Sequence, residues 1–107
     1  MALLVEIHVP LTPTPNLPPG TYPLPWIEQV EDFLVELEED GVAESYDEGT
    51  SFGDYFVFFL TGAGEASLLA AASRVAALDG VPAGAFALVT DTEAPDMGTG
   101  RRIDLPA

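Results

Sequence analysis

The sequence contains no cysteine and only three basic residues, against eighteen acidic ones. The absence of cysteine excludes disulfides, thiolate chemistry and cysteine-ligated zinc, so packing of the core must hold the fold together. A formal net charge of −15 argues against binding to nucleic acid or to an anionic membrane surface, because lysine and arginine must neutralise phosphates there. Solubility is the first explanation of this charge, and binding to a basic protein partner is the second.

The sequence also lacks long apolar runs and a leader pattern. No apolar stretch approaches the roughly 20 residues that a membrane span requires. The first eight residues carry no basic side chain, and Glu6 interrupts their apolar run. We therefore expect no signal peptide, no membrane association and a cytoplasmic location. With 107 residues, of which 48% are hydrophobic, the chain is predicted to form a single domain over residues 1–107.

The most apolar and most aromatic stretch is Asp54–Leu60, which is bounded by Gly53 and Gly62. Its length and its aromatic and β-branched content are typical of a strand that is buried on both faces. Alternation places Tyr55, Val57 and Phe59 on one face and Phe56, Phe58 and Leu60 on the other. The pattern does not decide which set faces inward.

The first strand is predicted at Leu3–Val9, whose apolar residues alternate. Leu3, Val5, Ile7 and Val9 would face the core, and Leu4, Glu6 and His8 the opposite side. Pro10 ends this strand because proline cannot donate to a strand ladder. Residues 10–23 contain six of the ten prolines and are predicted to be an extended connector.

Two helices are expected from apolar stripes at helical spacing. The first runs from Trp26 to Asp40 and ends at Gly41, and the second runs from Glu65 to about Asp79. Further strands are predicted at 42–47 and 84–90, with a hairpin loop at 48–53 and a tail, 92–107, that can form a short edge strand. The order β-α-β-β-α-β predicts an α+β, ferredoxin-like fold in which two helices cover one face of a four-stranded antiparallel sheet.

The second half of the chain carries several short patterns. They are Tyr46-Asp-x-Gly, Gly53-Asp-Tyr-x-x-Phe-Phe-Leu-x-Gly, Pro82-Ala-Gly and Arg101-Arg-Ile-Asp-Leu. With the intervening amphipathic helix, residues 45–107 resemble a group of small bacterial ferredoxin-like proteins that have no assigned activity. The resemblance implies the fold and does not imply an activity.

The predicted sheet leaves one face without helices, and exposed apolar patches of that kind mark interfaces. The candidate interface residues are Leu4, Glu6, His8, Phe56, Phe58 and Leu60. The leading hypothesis is a small acidic protein, not an enzyme, that acts through this face. Its partner would be a second copy of the chain or, in an inhibitor or immunity-type role, a basic protein. No catalytic residue, metal ligand or cofactor is assigned.

A second hypothesis rests on Glu6 and His8, which lie two residues apart and share a face. Such a pair can act as a general base with an orienting carboxylate, whereas no further histidine or cysteine supports a metal site. The protein would then be a dimeric enzyme or a small-ligand binder with a pocket at the sheet. An apolar cavity of roughly several hundred Å³ beside His8 would favour this second hypothesis, and a flat, well-packed face the first.

Overall fold

The computed structural model describes residues 3–13, 18–21, 24–45, 49–78, 80–91 and 100–105. These residues form an α+β structure with two helices and a six-stranded antiparallel sheet. The elements are β1 (Leu3–Pro10), α1 (Pro25–Glu39), β2 (Glu44–Ser45), β3 (Thr50–Phe52), β4 (Tyr55–Thr61), α2 (Glu65–Ala76), β5 (Phe86–Asp91) and β6 (Arg101–Asp104). Within these ranges, neither helix has the length and hydropathy needed to cross a membrane.

The sheet order is β2-β4-β1-β5-β6, and β3 also pairs with β4. The expected number of four strands is wrong for two reasons. First, the predicted hairpin loop contains a short strand, β3, which pairs with β4 beside β2: Ser45 pairs with Leu60 and Thr50 with Val57. Second, β6 extends the opposite edge beside β5.

The hairpin into β4 is tighter than the predicted loop at 48–53. Thr50–Phe52 is strand, and Phe52 pairs directly with Tyr55, so only Gly53 and Asp54 form the turn. Gly53 has φ +61°, a conformation that two-residue hairpin turns require and that glycine adopts without a steric cost. The turn places Phe52, Asp54 and Tyr55 at one end of the sheet.

The core lies between the helices and one face of the sheet. Val5, Ile7 and Val9 of β1 are fully buried there, as expected from the alternation of that strand. The other strands and the helices contribute Phe58, Leu60, Ala85, Ala87, Trp26, Val30, Leu34, Leu37, Leu68, Ala71, Ala72 and Val75. Both helices therefore cover the same face of the sheet, and the small side chains of α2 let it lie close to the strands.

Helix α1 is fixed at both ends. Pro25 is its first residue, and the Trp26 indole Nε1–H donates to the Thr12 carbonyl at 3.0 Å. At the other end Val42 N–H donates to Leu37 O at 2.9 Å, and Gly41 has φ +72°. This is the Schellman arrangement expected from a glycine after the last helical turn. Helix α2 ends at Ala76, a few residues before the predicted end.

Strand β6 is held against the body of the protein by its flanking residues. A Cβ on Gly100 would lie 2.6 Å from Val89 O, so only glycine allows the backbone to approach β5 this closely. Arg101 pairs with Glu65 of α2 at 2.6 Å, which ties the strand to the second helix. These contacts place the next residue, Arg102, beside β5.

Candidate functional site

The site is built on the β1 residues that face away from the helices. Leu4, Glu6 and His8 occupy this face, as alternation predicts. The antiparallel register places Val57 and Phe86 on either side of His8, and Phe59 and Leu88 on either side of Glu6. The neighbouring side chains are large enough that Glu6 is only 3% exposed and His8 only 2%. The centre of this face is therefore buried within one chain.

The structure corrects the candidate interface residues on β4. Phe56, Phe58 and Leu60 face the helices: Phe58 and Leu60 belong to the core, and Phe56 packs against it. The outward set is Tyr55, Val57 and Phe59, because these residues lie opposite Pro10, His8 and Glu6 in the β1–β4 register. Directly opposed residues of antiparallel strands point to the same side of a sheet, and the polar side chains of β1 mark that side as outward.

Glu6 and His8 are joined by a hydrogen bond of 2.9 Å between His8 Nε2 and Glu6 Oε1. An ionised carboxylate can only accept, so the hydrogen of this bond lies on Nε2. The neutral imidazole then has an unprotonated Nδ1, which is an acceptor. Among the described residues, Nδ1 has no hydrogen-bond partner. A buried polar atom without a protein partner calls for an explanation, of which a ligand is one.

Three aromatic rings surround the imidazole of His8. Phe86 stacks on it with ring centroids 4.9 Å apart and an interplanar angle of 10°. Phe52 and Tyr55 present their rings edgewise at 6.0 Å and 6.2 Å. Tyr55 also packs edgewise against Phe86 at 5.2 Å. These offset and perpendicular arrangements are the favoured geometries of aromatic pairs, so the rings form a stable wall around the histidine.

Arg102 completes the wall from β6. Its guanidinium carbon lies 4.0 Å from the centroid of the Phe86 ring, and its Nε donates to Asp104 Oδ1 at 3.0 Å. The Phe86 ring is thus in contact with both His8 and Arg102.

A cavity of about 450 Å³ opens beside these groups. It is lined by His8, Phe52, Gly53, Asp54, Tyr55, Phe86, Leu88, Gly100 and Arg102. Its volume and its mainly aromatic and aliphatic wall, with few polar groups, are typical of small-molecule sites. A second hollow of about 310 Å³ lies between α1 and the divided edge of the sheet, and its polar lining residues Glu31 and Ser45 are exposed. Only the first cavity contains a buried polar side chain.

The charges around the cavity are mostly negative. Glu6 lies beneath it, Asp54 lines its mouth, and Asp104 neutralises Arg102, the one cation of the lining. Within the described part of the chain, no three histidine, aspartate or glutamate side chains converge as they would in a metal site. The arrangement can accept a hydrogen bond or a proton at His8, with Glu6 holding the ring.

Sequence reasoning found Glu6 and His8 but missed the rings and Arg102. The sequence pattern places Phe52 in a loop and Phe86 in a strand and gives neither residue a role. Tyr55 lies on the opposite face of β4 from the interface candidates Phe56, Phe58 and Leu60. One signal could have found Tyr55, namely the antiparallel pairing of β1 with β4, in which Glu6 and His8 mark the outward side. Of the acidic residues around the second hairpin, Asp54 lines the cavity, whereas residues 46–48 lie outside the described residues.

Comparison of the chain with protein-family models, with curated proteins and with solved structures finds no match.

Proposed function

We propose that this protein binds a small organic ligand in the cavity beside His8. The observation that carries the proposal is the environment of His8. The side chain is 98% buried, Glu6 binds its Nε2, and its Nδ1 has no partner among the described residues. It lines a cavity of about 450 Å³ with aromatic walls. A fold gains nothing from leaving a buried acceptor without a partner, because an unmade hydrogen bond costs about 1–3 kcal/mol. A ligand donor would satisfy it.

The Glu6–His8 pair also supports acid–base chemistry on the bound ligand, although binding is the part that the geometry supports best. A histidine oriented by a carboxylate is a common general base. The fold does not decide between a binding protein and an enzyme, since one architecture can carry either. In this proposal Glu6 positions His8, and His8 contacts the ligand.

We also propose that the protein has a modified ferredoxin-like fold. The order β2-β4-β1-β5, with both helices on one face, supports this arrangement if β2 and β3 together count as its second strand. Strand β6 is then an addition at the β5 edge, and it brings Arg102 to the cavity. A cytoplasmic location remains a prediction.

Ligand binding is tested by titrating indole, a neutral flat probe, into the protein while recording proton NMR. His8 is the only histidine, so its two ring C–H signals can be assigned directly. We expect both signals to shift and to saturate. The variant Leu88→Trp fills the cavity and should abolish the shift, and Val35→Trp on the exposed side of α1 is the matched control. If indole leaves both signals of the folded wild-type protein unchanged, the cavity does not bind flat apolar ligands.

Interaction through the outward sheet face is the second candidate, with a second copy or a basic protein as the partner. Phe52, at the rim of the cavity, is 42% exposed, which is high for a phenylalanine and supports a contact at this end of the sheet. The burial of Glu6, His8, Val57 and Leu88 within one chain leaves less apolar surface for a partner than the sequence predicted. This candidate requires that a polar substitution on the outward face changes the association state while the fold persists.

A further inference from the structure

We infer that the ligand of the His8 cavity is a flat aromatic cation that carries hydrogen-bond donors, such as an arylalkylamine. The inference rests on the proposed function and names its ligand class. Three observations carry it: two acceptors of the cavity have no partner among the described residues, the carboxylates around it outnumber its one guanidinium, and two of its aromatic rings have exposed surface available to a cation.

The hydrogen-bonding groups select a donor. In the neutral imidazole of His8, Nδ1 is an acceptor, because Nε2 holds the hydrogen that binds Glu6. The Asp54 carboxylate at the mouth is exposed and, among the described residues, has no side-chain partner. Arg102 also faces the cavity with five N–H donors, of which Nε–H binds Asp104, and this ion pair offsets its positive charge. A ligand with an N–H group inside and an ammonium group outside would satisfy both free acceptors.

The charges select a cation over an anion. Among the described residues, the charged groups in and beside the cavity are the carboxylates of Glu6, Asp54 and Asp104 and the guanidinium of Arg102. An anionic ligand would compete with Asp104 for Arg102 and would face Asp54. The net charge of −15 acts in the same direction and increases the local concentration of cations.

The rings provide a further contact for a cation. The Phe86 ring is already covered by His8 and Arg102. The Phe52 ring is 42% exposed and the Tyr55 ring partly exposed, and both line the mouth near Asp54. A cation over an aromatic face is attracted by the ring quadrupole, and a nearby carboxylate adds to that attraction. The flat part of the ligand would then lie against Leu88 and the edges of the rings.

The test compares three probes that share one ring system: tryptamine, which is a cation, indole, which is neutral, and indole-3-acetate, which is an anion. Dissociation constants are measured by calorimetry and by the His8 ring signals at low salt. We expect tryptamine to bind roughly two- to fivefold more tightly than indole, the gain typical of one exposed charge pair. Indole-3-acetate should bind more weakly than indole, and added salt should reduce both differences.

Two variants locate the charge effect. Asp54→Asn should reduce tryptamine binding roughly two- to fivefold and leave indole binding unchanged. Asp32→Asn, on the exposed surface of α1, changes the net charge by the same amount and is the matched control. If both variants reduce tryptamine binding equally, the effect belongs to the net charge of the protein and the inference is wrong.

The remaining outcomes separate the inference from the proposed function. If the three probes bind equally, or if indole-3-acetate binds most tightly, the cavity binds ligands but the cation inference is overturned. If none of the three probes shifts the His8 signals of folded protein, the proposed function is overturned as well.

Discussion

Replacing Phe58 by asparagine should abolish the cooperative unfolding of the protein, whereas the same change at the neighbouring Phe59 should leave it folded. Phe58 is 1% exposed within the helix-side core, and Phe59 is partly exposed on the other face. Truncating a buried phenylalanine costs about 3–5 kcal/mol, and an unpaired buried amide adds about 1–3 kcal/mol. The sum is comparable to the whole stability of a small domain, about 5–15 kcal/mol.

The measurement is thermal and urea unfolding followed by circular dichroism, with solution mass from size exclusion and light scattering on the folded variants. Phe59→Asn should unfold cooperatively, with a loss of about 1–2 kcal/mol because its ring is only partly buried. A loss of dimer mass in Phe59→Asn would favour interaction through the outward face. A monomer in both the wild type and Phe59→Asn would exclude self-association through the outward face. Equal destabilisation of the two variants would contradict the assignment of the β4 faces.

This pair of variants concerns the point at which the sequence was least informative. In β1 the alternation separates an apolar set from one that contains Glu6 and His8, so its inner face could be predicted. In β4 both sets are apolar, and neither hydrophobicity nor strand propensity separates Phe58 from Phe59 in the sequence. Only the register with β1 decides between them, and register depends on tertiary pairing that the local pattern does not contain.

The second large effect is expected for Glu6→Leu, which should destabilise the protein by about 2–4 kcal/mol. The change removes the carboxylate that binds His8 Nε2 at 2.9 Å and leaves a buried N–H without its partner. Breaking a buried pair by removing one member costs more than replacing both members by apolar residues of similar size. Glu6→Leu combined with His8→Leu should therefore cost less than the sum of the two single changes.

Urea unfolding of the two single variants and the double variant forms a double-mutant cycle that measures this coupling. Glu6→Gln keeps an acceptor in the same place and should lose about 1 kcal/mol. Glu36→Leu, on the exposed surface of α1, removes a glutamate with no such contact and should stay within about 0.5 kcal/mol of the wild type. Strict additivity of Glu6→Leu and His8→Leu would mean that the pair contributes nothing as a unit.

The sequence predicted part of the site, and physical reasons account for the rest. Glu6 and His8 could be paired because a two-residue spacing on a strand is a local property. The wall of the cavity comes from β3, β4, β5 and β6, so its assembly depends on long-range pairing. Phe52 illustrates the difficulty: its segment was predicted as a loop, and only the two-residue turn at Gly53 and Asp54 places its ring beside His8.

The prediction of an open apolar face was wrong in a similar way. It assumed that residues pointing away from the helices would be exposed to solvent. Val57 is instead fully buried and Leu88 is 5% exposed on that face. The cavity beside His8 lies at one end of the same face.

The central claim, that His8 offers an open acceptor to the cavity, is tested most directly by a long-range proton–nitrogen NMR spectrum of the ligand-free protein at neutral pH. One histidine gives one set of imidazole nitrogen signals. In the neutral ring, the hydrogen bond to Glu6 places the hydrogen on Nε2 and leaves Nδ1 unprotonated, and tryptamine should then shift the Nδ1 signal most. A ring protonated on Nδ1, in either the neutral or the cationic form, would contradict the account, because His8 would then have no acceptor to offer a ligand.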